Sequence, residues 1–583
     1  MSEITVPVLI VGGGGCGLTS SILLSDFGVD HLMIERHPGT SHLPKSHYLN
    51  QRTMEIFRQH AVADSIYEVS SPMENMSTAL WCTSIGGDGP FDRKILARLD
   101  AFGGGGLDYE KDGPARSANY SQVWLEPILL EHAQQRGPGR QLFRHELIGF
   151  TQDEDGVTAQ VRNLETGDEL TVRSQYLIGA DGGKTVGKLL GIEMHGPAGL
   201  VEMVTTHFSA DLSEYCDDTA FVNWMINPEG KDGWSAGVLA PMGPTWGNKS
   251  ENWVMHFAFA PDDPARNDEA AMPGRIRELL KISNLQMDIR TINHWIVEGV
   301  VAERYQDGRV FLGGDAAHRH PPTTGLGLNT AFQDAHNLAW KIAAVVNGQA
   351  GPELLDTYEA ERYPVGVRNV DWAMFTFFNH MLLDAGLGLT PGATLEQKHA
   401  TFEAYFDDSP MGETRRALAD EVFNTQRTEF QAHDLEVGFR YDAGALVPDG
   451  SEPPPRDPMG HIYHPTTRPG HRLPHAWLES DGQRLSTHDL VGTDGFVLIT
   501  GSDTAPWQRA ALQACDQLGT TVKVVGVGGG YADVDGRWAE LREISDSGAV
   551  LVRPDNHVAW RVVDAPSDPS GELTAALRTV LSR

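Results

Sequence analysis

Residues 7–36, PVLIVGGGGCGLTSSILLSDFGVDHLMIER, constrain the fold of this chain more than any other segment. The apolar run at 8–11 has the length and β-branched character of a buried strand. Apolar residues then recur at helical spacing from Leu18, and a second apolar run at 31–34 predicts another strand. The order strand, turn, helix and strand predicts a Rossmann-like α/β domain.

Three glycines in the pattern GxGxxG join the first strand to the helix, namely Gly12, Gly14 and Gly17. The first permits a tight turn, the second lets the backbone approach a pyrophosphate, and the third lets the helix pack closely on the strand. The pyrophosphate then lies at the helix N-terminus. Glu35 ends the second strand, about twenty residues further on, where a carboxylate accepts both ribose hydroxyls and disfavours a 2′-phosphate. The expected ligand is therefore FAD or NAD rather than NADP.

Length, charge and cysteine usage limit the class of protein. A chain of 583 residues is too long for one core and predicts about two to four domains. The net charge of −33 argues against nucleic acid or an anionic membrane as a partner. The opening residues lead directly into a strand and no apolar run approaches about eighteen residues, so we expect a cytoplasmic protein without a membrane span. The cysteines form no CxxC pair, so neither a zinc site nor a dithiol pair is predicted.

The middle of the chain predicts mainly β structure. Alternating apolar and polar residues over 147–179 predict a β-meander that returns to the first domain. Further strands are predicted at 205–210, 220–226, 233–240, 253–260 and 289–297, with a helix at 274–282. This region is rich in tryptophan: Trp224, Trp234, Trp246, Trp253 and Trp295. Such residues either line an aromatic pocket or fill an ordinary sheet core.

Residues 309–348 predict a ligand loop between a strand and a helix. The strand is expected at 310–312 and the helix at 329–346, with a loop rich in Pro, Gly and Thr at 313–327. The free N–H groups at the helix N-terminus suit an electron-rich or anionic group.

A separate unit is predicted near the C-terminus. A proline-rich connection around 450–460 precedes alternating strands and helices, which predict a small and largely parallel sheet. The turn at 555–557 predicts a hairpin into a final strand.

Three separated motifs together resemble the FAD-dependent aromatic hydroxylases, the group A flavoprotein monooxygenases. The first motif is the glycine turn with Glu35, the second is GADGGKTVGK at 179–188, and the third is GGDAAHRHPPTTGLGLNTAFQDAHNLAWK at 313–341. The likeness is strongest to the phenol and chlorophenol hydroxylase branch. It covers residues 7–370, and the C-terminal section resembles the thioredoxin-like domain of that branch.

The resemblance implies an α/β and α+β architecture of the p-hydroxybenzoate hydroxylase type. An FAD-binding domain is expected at 1–185 plus 300–395, and a β-rich substrate domain at 186–299 with contributions from 72–113. A linker and a thioredoxin-like domain are expected at 400–583. Because the CxxC of active thioredoxins is missing and only Cys515 is present there, a packing or dimerisation role is expected.

The same resemblance implies the activity. NADH or NADPH would reduce the flavin, and a flavin C4a-hydroperoxide would hydroxylate a phenolic or hydroxypyridine-like substrate with O2. No second dinucleotide fingerprint is found in the sequence, so the nicotinamide donor is expected to dock transiently. A homodimer is expected.

Carried over position by position, the resemblance implies these FAD contacts: Gly12, Gly14, Gly17, Glu35, Arg36, Arg52, Gln122, Asp181, Asp315, Gly325, Gly327, Leu328 and Asn329. The glycine turn would receive the pyrophosphate, Glu35 the ribose and Asp315 the ribityl or pyrophosphate side. Asp181 would brace the nucleotide domain. Pro321 and Pro322 would wall the flavin, and backbone donors of 325–329 would meet its N1/C2 carbonyl edge.

Candidate substrate residues are His47, Trp224 and Trp246. A base near the substrate hydroxyl helps because a phenolate reacts faster than a phenol. His47 lies where several phenol-type relatives carry an acidic residue, and its usual pKa of about 6.5 suits a base. A structural histidine bonded to the backbone is the other interpretation.

The chain departs from the family pattern at five positions: Lys45, Thr185, Gly187, Lys188 and Thr324. The first four weaken any inference about how the nicotinamide phosphate is bound, because lysine does not reproduce a bidentate arginine.

Two other functions stay open from the sequence. One is a different flavoenzyme, a dehydrogenase or oxidase acting on an aromatic or polyketide. The other is a flavin-binding regulatory or structural protein with the thioredoxin-like domain as its interaction module.

Overall fold

The computed structural model describes residues 2–227, 236–260, 262–390 and 392–583. Its α-helices are Gly15–Asp26, Gln51–Gln59, Ala63–Tyr67, Gln122–Gln135, Val186–Leu189, Met272–Leu280, Leu326–Val346, Thr357–Asn379, Leu382–Gly386, Leu395–Phe406, Pro410–Asn424, Arg427–Phe430, His433–Val437, Ala505–Leu518, Arg537–Leu541 and Pro569–Val580. Within these described ranges, no helix combines the length and apolar character needed to cross a bilayer.

The first sheet carries the glycine turn. Its strands follow the order Gln306–Asp307, Val310–Leu312, Glu169–Gly179, Ser2–Val11, His31–Glu35 and Arg140–Phe143, with the hairpin His145–Gln152 and Val157–Asn163 attached to Glu169–Gly179. Ser2–Val11 lies parallel to both its neighbours in the sheet. The helix Gly15–Asp26, hereafter the first helix, is almost completely buried against it. The predicted strand, turn, helix and strand unit is present.

The second sheet holds the predicted β-rich region. Its order is Asp288–Val297, Val201–Ser209, Asn252–Phe259, Ala236–Gly243, Ala220–Ile226, Thr78–Cys82 and Ile95–Asp100. One face packs on the helix Met272–Leu280. Most of the strand predicted at 233–240 is seen in Ala236–Gly243, whereas residues 233–235, with Trp234, lie outside the described residues.

The opposite face of the second sheet is covered by helices and by the short strand Tyr48–Leu49. Phe402, Phe423 and Phe430 come from a segment predicted as linker, yet they pack in one apolar cluster with Trp81 and Tyr48. This segment, 395–437, therefore forms a helical layer over one end of the sheet.

The C-terminal sheet differs from its predicted topology. Its order is Val522–Gly526, Phe496–Thr500, Ala549–Val552 and Val558–Val562. The first pair is parallel, but the other two pairs are antiparallel, so the expectation of a largely parallel sheet was wrong. The helix Arg537–Leu541 has only 5 residues, and it does not carry the chain across the sheet as a full crossover would. A four-stranded sheet of this order with flanking helices confirms the thioredoxin-like fold class.

A buried ionic network joins the C-terminal unit to the first domain. Arg553 pairs with both oxygens of Glu361, at 2.7 and 2.9 Å, and also with Asp555. Lys341 Nζ lies 2.8 Å from the same Glu361. All of these side chains are at most 1 % exposed. Burial by itself raises the pKa of Glu361, but the cations of Arg553 and Lys341 hold it at about 2.

A second part of this network lies at the helix Gln51–Gln59. Glu55 binds Arg472 bidentately and Arg52 at 3.2 Å, and Arg52 Nη2 donates to the carbonyl oxygen of Asp555 at 2.7 Å. Burial would raise the pKa of Glu55, yet Arg472 and Arg52 bring it to about 2. Charges this deep require their partners, because an unpaired buried ion costs several kcal/mol.

We predict that Arg553→Met strongly lowers the thermal unfolding midpoint, because it leaves the Glu361 and Asp555 carboxylates without their shared partner. The expected loss is about 3–5 kcal/mol. Arg162→Met removes an exposed pair with Glu169 and should cost at most about 1 kcal/mol. Equal midpoint shifts in differential scanning calorimetry would contradict an energetic role for the buried network.

Candidate active site

The three glycines of the first turn are required for different reasons. Gly12 has φ +113°, and a Cβ there would lie 2.2 Å from the carbonyl oxygen of Ala180. A Cβ at Gly17 would lie 1.9 Å from the carbonyl oxygen of Gly12. Around Gly14, by contrast, the nearest described atom is Glu126 Oε1 at 3.6 Å. Packing therefore requires Gly12 and Gly17, while Gly14 leaves a cradle that a ligand can fill.

Two helix N-termini converge at this cradle. The first helix begins after Gly14, and the helix Leu326–Val346, hereafter the long helix, begins after Gly325, which has φ +65°. Neither N-terminus has a side-chain cap. Their first N–H groups therefore lack intrahelical acceptors and carry a partial positive charge. Such a pair of ends suits a pyrophosphate at one helix and an electron-rich ring edge at the other.

Direct contacts hold these two turns together. A Cβ at Gly15 would lie 2.8 Å from Leu328 of the long helix, so the two helices touch at their first residues. Cys16 packs against Gly313 and Gly314, just after the strand Val310–Leu312. The long helix begins at Leu326 and not at residue 329 as predicted, because the left-handed Gly325 is the last non-helical residue before it. Gly327 and Leu328 thus belong to its first turn.

Glu35 and Arg36 lie at the adenosine end predicted for the ligand. Glu35 Oε2 accepts from the Gly13 N–H at 2.7 Å, and its Oε1 accepts from His37 N–H at 2.8 Å. This places the carboxylate beside the glycine turn. Arg36 is exposed, and its Nε lies 3.4 Å from His37 Nε2.

Two aspartates occupy the adjoining turns. Asp181 accepts the N–H groups of Gly183, Thr185 and Val186, so its carboxylate holds the loop beside Gly12. Asp315 is exposed on the 3-10 turn Gly314–Ala316, which lies against Cys16. Its place beside the glycine turn is compatible with the predicted contact.

Gln122 is held by a glutamate that the sequence analysis did not single out. Glu126 is 2 % exposed; its Oε1 accepts from Gln122 Nε2 at 2.6 Å and its Oε2 from Ser41 N–H at 2.7 Å. Because Glu126 Oε1 is also the atom nearest to the Gly14 cradle, it fixes Gln122 at the edge of this space. The only sequence signal was its place one helical turn after Gln122.

Two other predicted cofactor residues have side chains that are occupied within the protein. The Asn329 amide bonds to Tyr48 and Gly325 through Nδ2 and to Asn50 and Thr53 through Oδ1, so only backbone groups of 325–329 are available. Arg52 points toward the C-terminal unit in the network described above. A direct contact of Arg52 with FAD stays a prediction.

The loop before the long helix is held rigidly. Pro321 is buried and Pro322 is exposed. Thr324 has φ +64° and bonds through its hydroxyl to Thr376 Oγ1 at 3.0 Å. The left-handed backbone explains why glycine suits this position.

His47 lies between the two sheets. Its ring stacks on Phe221 of the second sheet at 4.7 Å, and its Nδ1 lies 2.9 Å from Asn119 Oδ1. A carboxamide oxygen only accepts, so Nδ1 carries the proton and Nε2 is left as an acceptor. Burial lowers the pKa of His47, and the bond to Asn119 opposes this in part. The side chain keeps some accessible surface, and Nε2 bonds to none of the described residues.

The predicted aromatic residues have different surroundings. Trp224 stacks on His380 at 4.2 Å and lies on the sheet face that is turned toward His47. Trp246 is buried and donates its indole N–H to the Val69 carbonyl at 3.0 Å. Trp253 faces the other side, in the core beneath Met272–Leu280, and Trp295 donates to Thr205 Oγ1 at 2.9 Å.

Comparisons with known proteins cover nearly the whole chain. A family profile described as an FAD binding domain matches residues 5–373, and one described as aromatic-ring hydroxylase, C-terminal, matches 466–583. A 2,4-dichlorophenol 6-monooxygenase of Delftia acidovorans is 37% identical over 99% of this chain and 98% of its own. A phenol 2-monooxygenase of Pseudomonas sp. (strain EST1001) is 35% identical over 97% and 91%. The crystal structure of the flavin-dependent monooxygenase PieE in complex with FAD and substrate is 40% identical, with a TM-score of 0.93 and 100% of both chains covered.

We predict that Gly14→Ala keeps the fold but weakens FAD binding at least about tenfold, since a methyl group enters the ligand cradle and meets no other group closely. Gly17→Ala should instead prevent folding, because its Cβ would overlap the Gly12 carbonyl. Flavin fluorescence titration and the unfolding midpoint of the apoprotein measure the two effects.

Gly39→Ala is the matched control, because a Cβ there meets nothing within 4 Å. Tight FAD binding by the Gly14 variant would show that the cradle is not the pyrophosphate site.

Proposed function

The chain belongs to the FAD-dependent aromatic-ring hydroxylases, and we propose that it hydroxylates a phenolic or hydroxypyridine-like ring with NADH or NADPH and O2. The observation that carries this proposal is the position of His47. It extends from the segment that adjoins the FAD cradle to the face of the second sheet that carries Trp224. A substrate ring in this space would lie between the flavin and the sheet.

Bound FAD, once reduced by the nicotinamide donor, supplies an activated oxygen atom derived from O2. The N-terminus of the long helix would favour negative charge on a flavin edge placed against it, which would support reduction. The buried Asn329 amide fixes this helix to the strand Tyr48–Leu49. His47 is therefore held in a constant relation to the cradle.

His47 acts as the base in this proposal. The substrate O–H bond breaks, its proton passes to Nε2, and the resulting phenolate is a more electron-rich ring. Phe221 stacks on one side of the imidazole, and Asn119 holds Nδ1, so the free nitrogen has one orientation. These contacts support a neutral base rather than a structural histidine bonded to the backbone.

We also propose a cytoplasmic homodimer. The net charge of −33 favours a solvated protein. Phe375, Phe378, Met381 and Leu382 are each about half exposed and follow one another along the end of Thr357–Asn379 and the next helix. A contiguous apolar surface of this kind suits contact with a second copy.

Labelled oxygen tests the reaction directly. The holoenzyme is incubated with NADH or NADPH, ¹⁸O2 and each member of a panel of phenols and pyridinols, and the product masses are determined by mass spectrometry. We expect substrate-stimulated consumption of the donor and one labelled oxygen atom in the product. Donor consumption without label would indicate a dehydrogenase or oxidase, and no stimulation would indicate a binding protein.

We predict that His47→Gln slows hydroxylation about 10²–10⁴-fold and raises peroxide release per donor consumed, because the ring is no longer deprotonated. Since burial lowers the His47 pKa, the wild-type rate should fall only as the pH drops below about 6.5 and protonates the base. The variant should lose this acid limb.

His195→Gln is the control, because this exposed histidine pairs with Glu303 on the surface. Unchanged rate, coupling and acid limb in the His47 variant would remove the base assignment while leaving the oxygenase proposal to the label experiment.

A further inference from the structure

One row of side chains crosses the second sheet on the face turned toward His47. Paired positions across neighbouring strands share a face, and the register runs from Trp224 to Val238, then His256, then Thr205. Val254, two residues before His256 on the same strand, belongs to the apolar cluster that contains Tyr48. His256 therefore points from the sheet into the space beside His47.

The partners of His256 fix its tautomer. Its Nδ1 lies 2.8 Å from Thr205 Oγ1, and the same oxygen accepts the indole N–H of Trp295 at 2.9 Å. Thr205 is buried, and its hydroxyl hydrogen has no acceptor other than His256 Nδ1 among the described residues. The hydroxyl therefore donates to Nδ1, which leaves the proton of His256 on Nε2. His256 retains accessible surface, and its Nε2 bonds to none of the described residues.

The two imidazoles are thus complementary. His47 presents an unprotonated Nε2, because its Nδ1 donates to Asn119, whereas His256 presents an Nε2–H. The two side chains are close enough that a charge on His47 lowers the pKa of His256. One nitrogen can accept a proton from a hydroxyl group, and the other can donate to the oxygen that remains.

We propose that His256 is a second substrate-binding residue, whose Nε2–H donates a hydrogen bond to the phenolate oxygen that His47 generates. The inference rests on the proposed function and deepens it. The substrate O–H bond breaks, an N–H bond forms at His47 Nε2, and the negative charge on oxygen is held between the imidazolium and the neutral His256. Thr205 is a positioning residue, since it acts only through His256.

The charge state of His256 is consistent with this role. Burial, together with the nearby His47, lowers the pKa of His256 to about 4. The ring therefore stays neutral when His47 is protonated, and the cavity holds one cation and one phenolate. Trp224 and His256 are two strand spacings apart, about 10 Å. A ligand fits this row of side chains if its ring hydroxyl lies at about that distance from the part that contacts Trp224.

The test uses 4-nitrophenol as a probe, because its phenolate form absorbs visible light and its neutral form does not. Oxidised holoenzyme is titrated with the probe, and the bound fraction in phenolate form is read from difference spectra. We expect wild type to bind phenolate, and His256→Leu to bind it about tenfold or more weakly. His256→Gln, which retains an N–H donor, should restore part of the affinity.

His294→Leu is the matched control, because this partly exposed histidine, two strands away in the same sheet, pairs with Glu202 and Glu269. FAD content and unfolding midpoint verify that each variant is folded. If His256→Leu does not fold, Thr205→Val replaces it: loss of the hydroxyl frees the tautomer and should weaken phenolate binding several-fold.

Phenolate binding that is unchanged in His256→Leu or Thr205→Val would overturn the inference, as would wild type that binds the probe only as neutral phenol or not at all. The two proposals fail separately. If wild type inserts the label but His256→Leu binds phenolate normally, the oxygenase proposal stands and the role of His256 is removed. If His256→Leu loses phenolate binding but wild type inserts no label, the donor role of His256 stands and the oxygenase proposal is removed.

Discussion

The contact between two uncapped helix ends is the constraint on which the rest of the structure depends. The first helix and the long helix meet at Gly15 and Leu328, and Cys16 fills the space between the two glycine turns. A larger side chain than Cys16 would separate them, and burial raises the pKa of this thiol well above its usual range, so it acts as a small apolar spacer. Both helix ends are left with N–H groups that have no side-chain cap, beside the Gly14 cradle. The sheets, the loop at Thr324 and the bonds of Asn329 keep those ends in place.

Local patterns in the sequence predicted the elements that build this contact. Strand, turn and helix near Gly12 follow from apolar periodicity and glycine spacing, since both act within a few residues. Five of the seven strands of the second sheet were predicted to within a few residues for the same reason, whereas Thr78–Cys82 and Ile95–Asp100 had no predicted bounds. The start of the long helix was misplaced, because Gly325 and Gly327 are typical of a loop in the sequence, whereas Gly327 is helical in the structure. The predicted direction of the C-terminal strands was wrong, because the sequence of Arg537–Leu541 does not show that this helix is too short for a crossover.

The remaining features depend on residues far apart in the chain. Arg553 finds Glu361 across 192 positions, and Arg472 finds Glu55 across 417, so each appears in the sequence as an ordinary charged surface residue. His256 gave no signal by itself. Only the sheet register places it with Thr205, and only the stack on Phe221 places His47 opposite. The one indication in the sequence was that His256 lies two residues after Val254 and therefore on the same face of the strand.

The ionic network also bears on how this architecture can be inherited. The long helix carries Asn329 near its start and Lys341 toward its end, so the same helix that meets the glycine turn also anchors the thioredoxin-like unit through Glu361 and Arg553. Exchanging that unit between homologues would separate matched charges in a buried interface. A chimaera would fold only when the two parent proteins carry the same charged residues at this interface. The C-terminal unit and the FAD-binding domain are therefore expected to have evolved together.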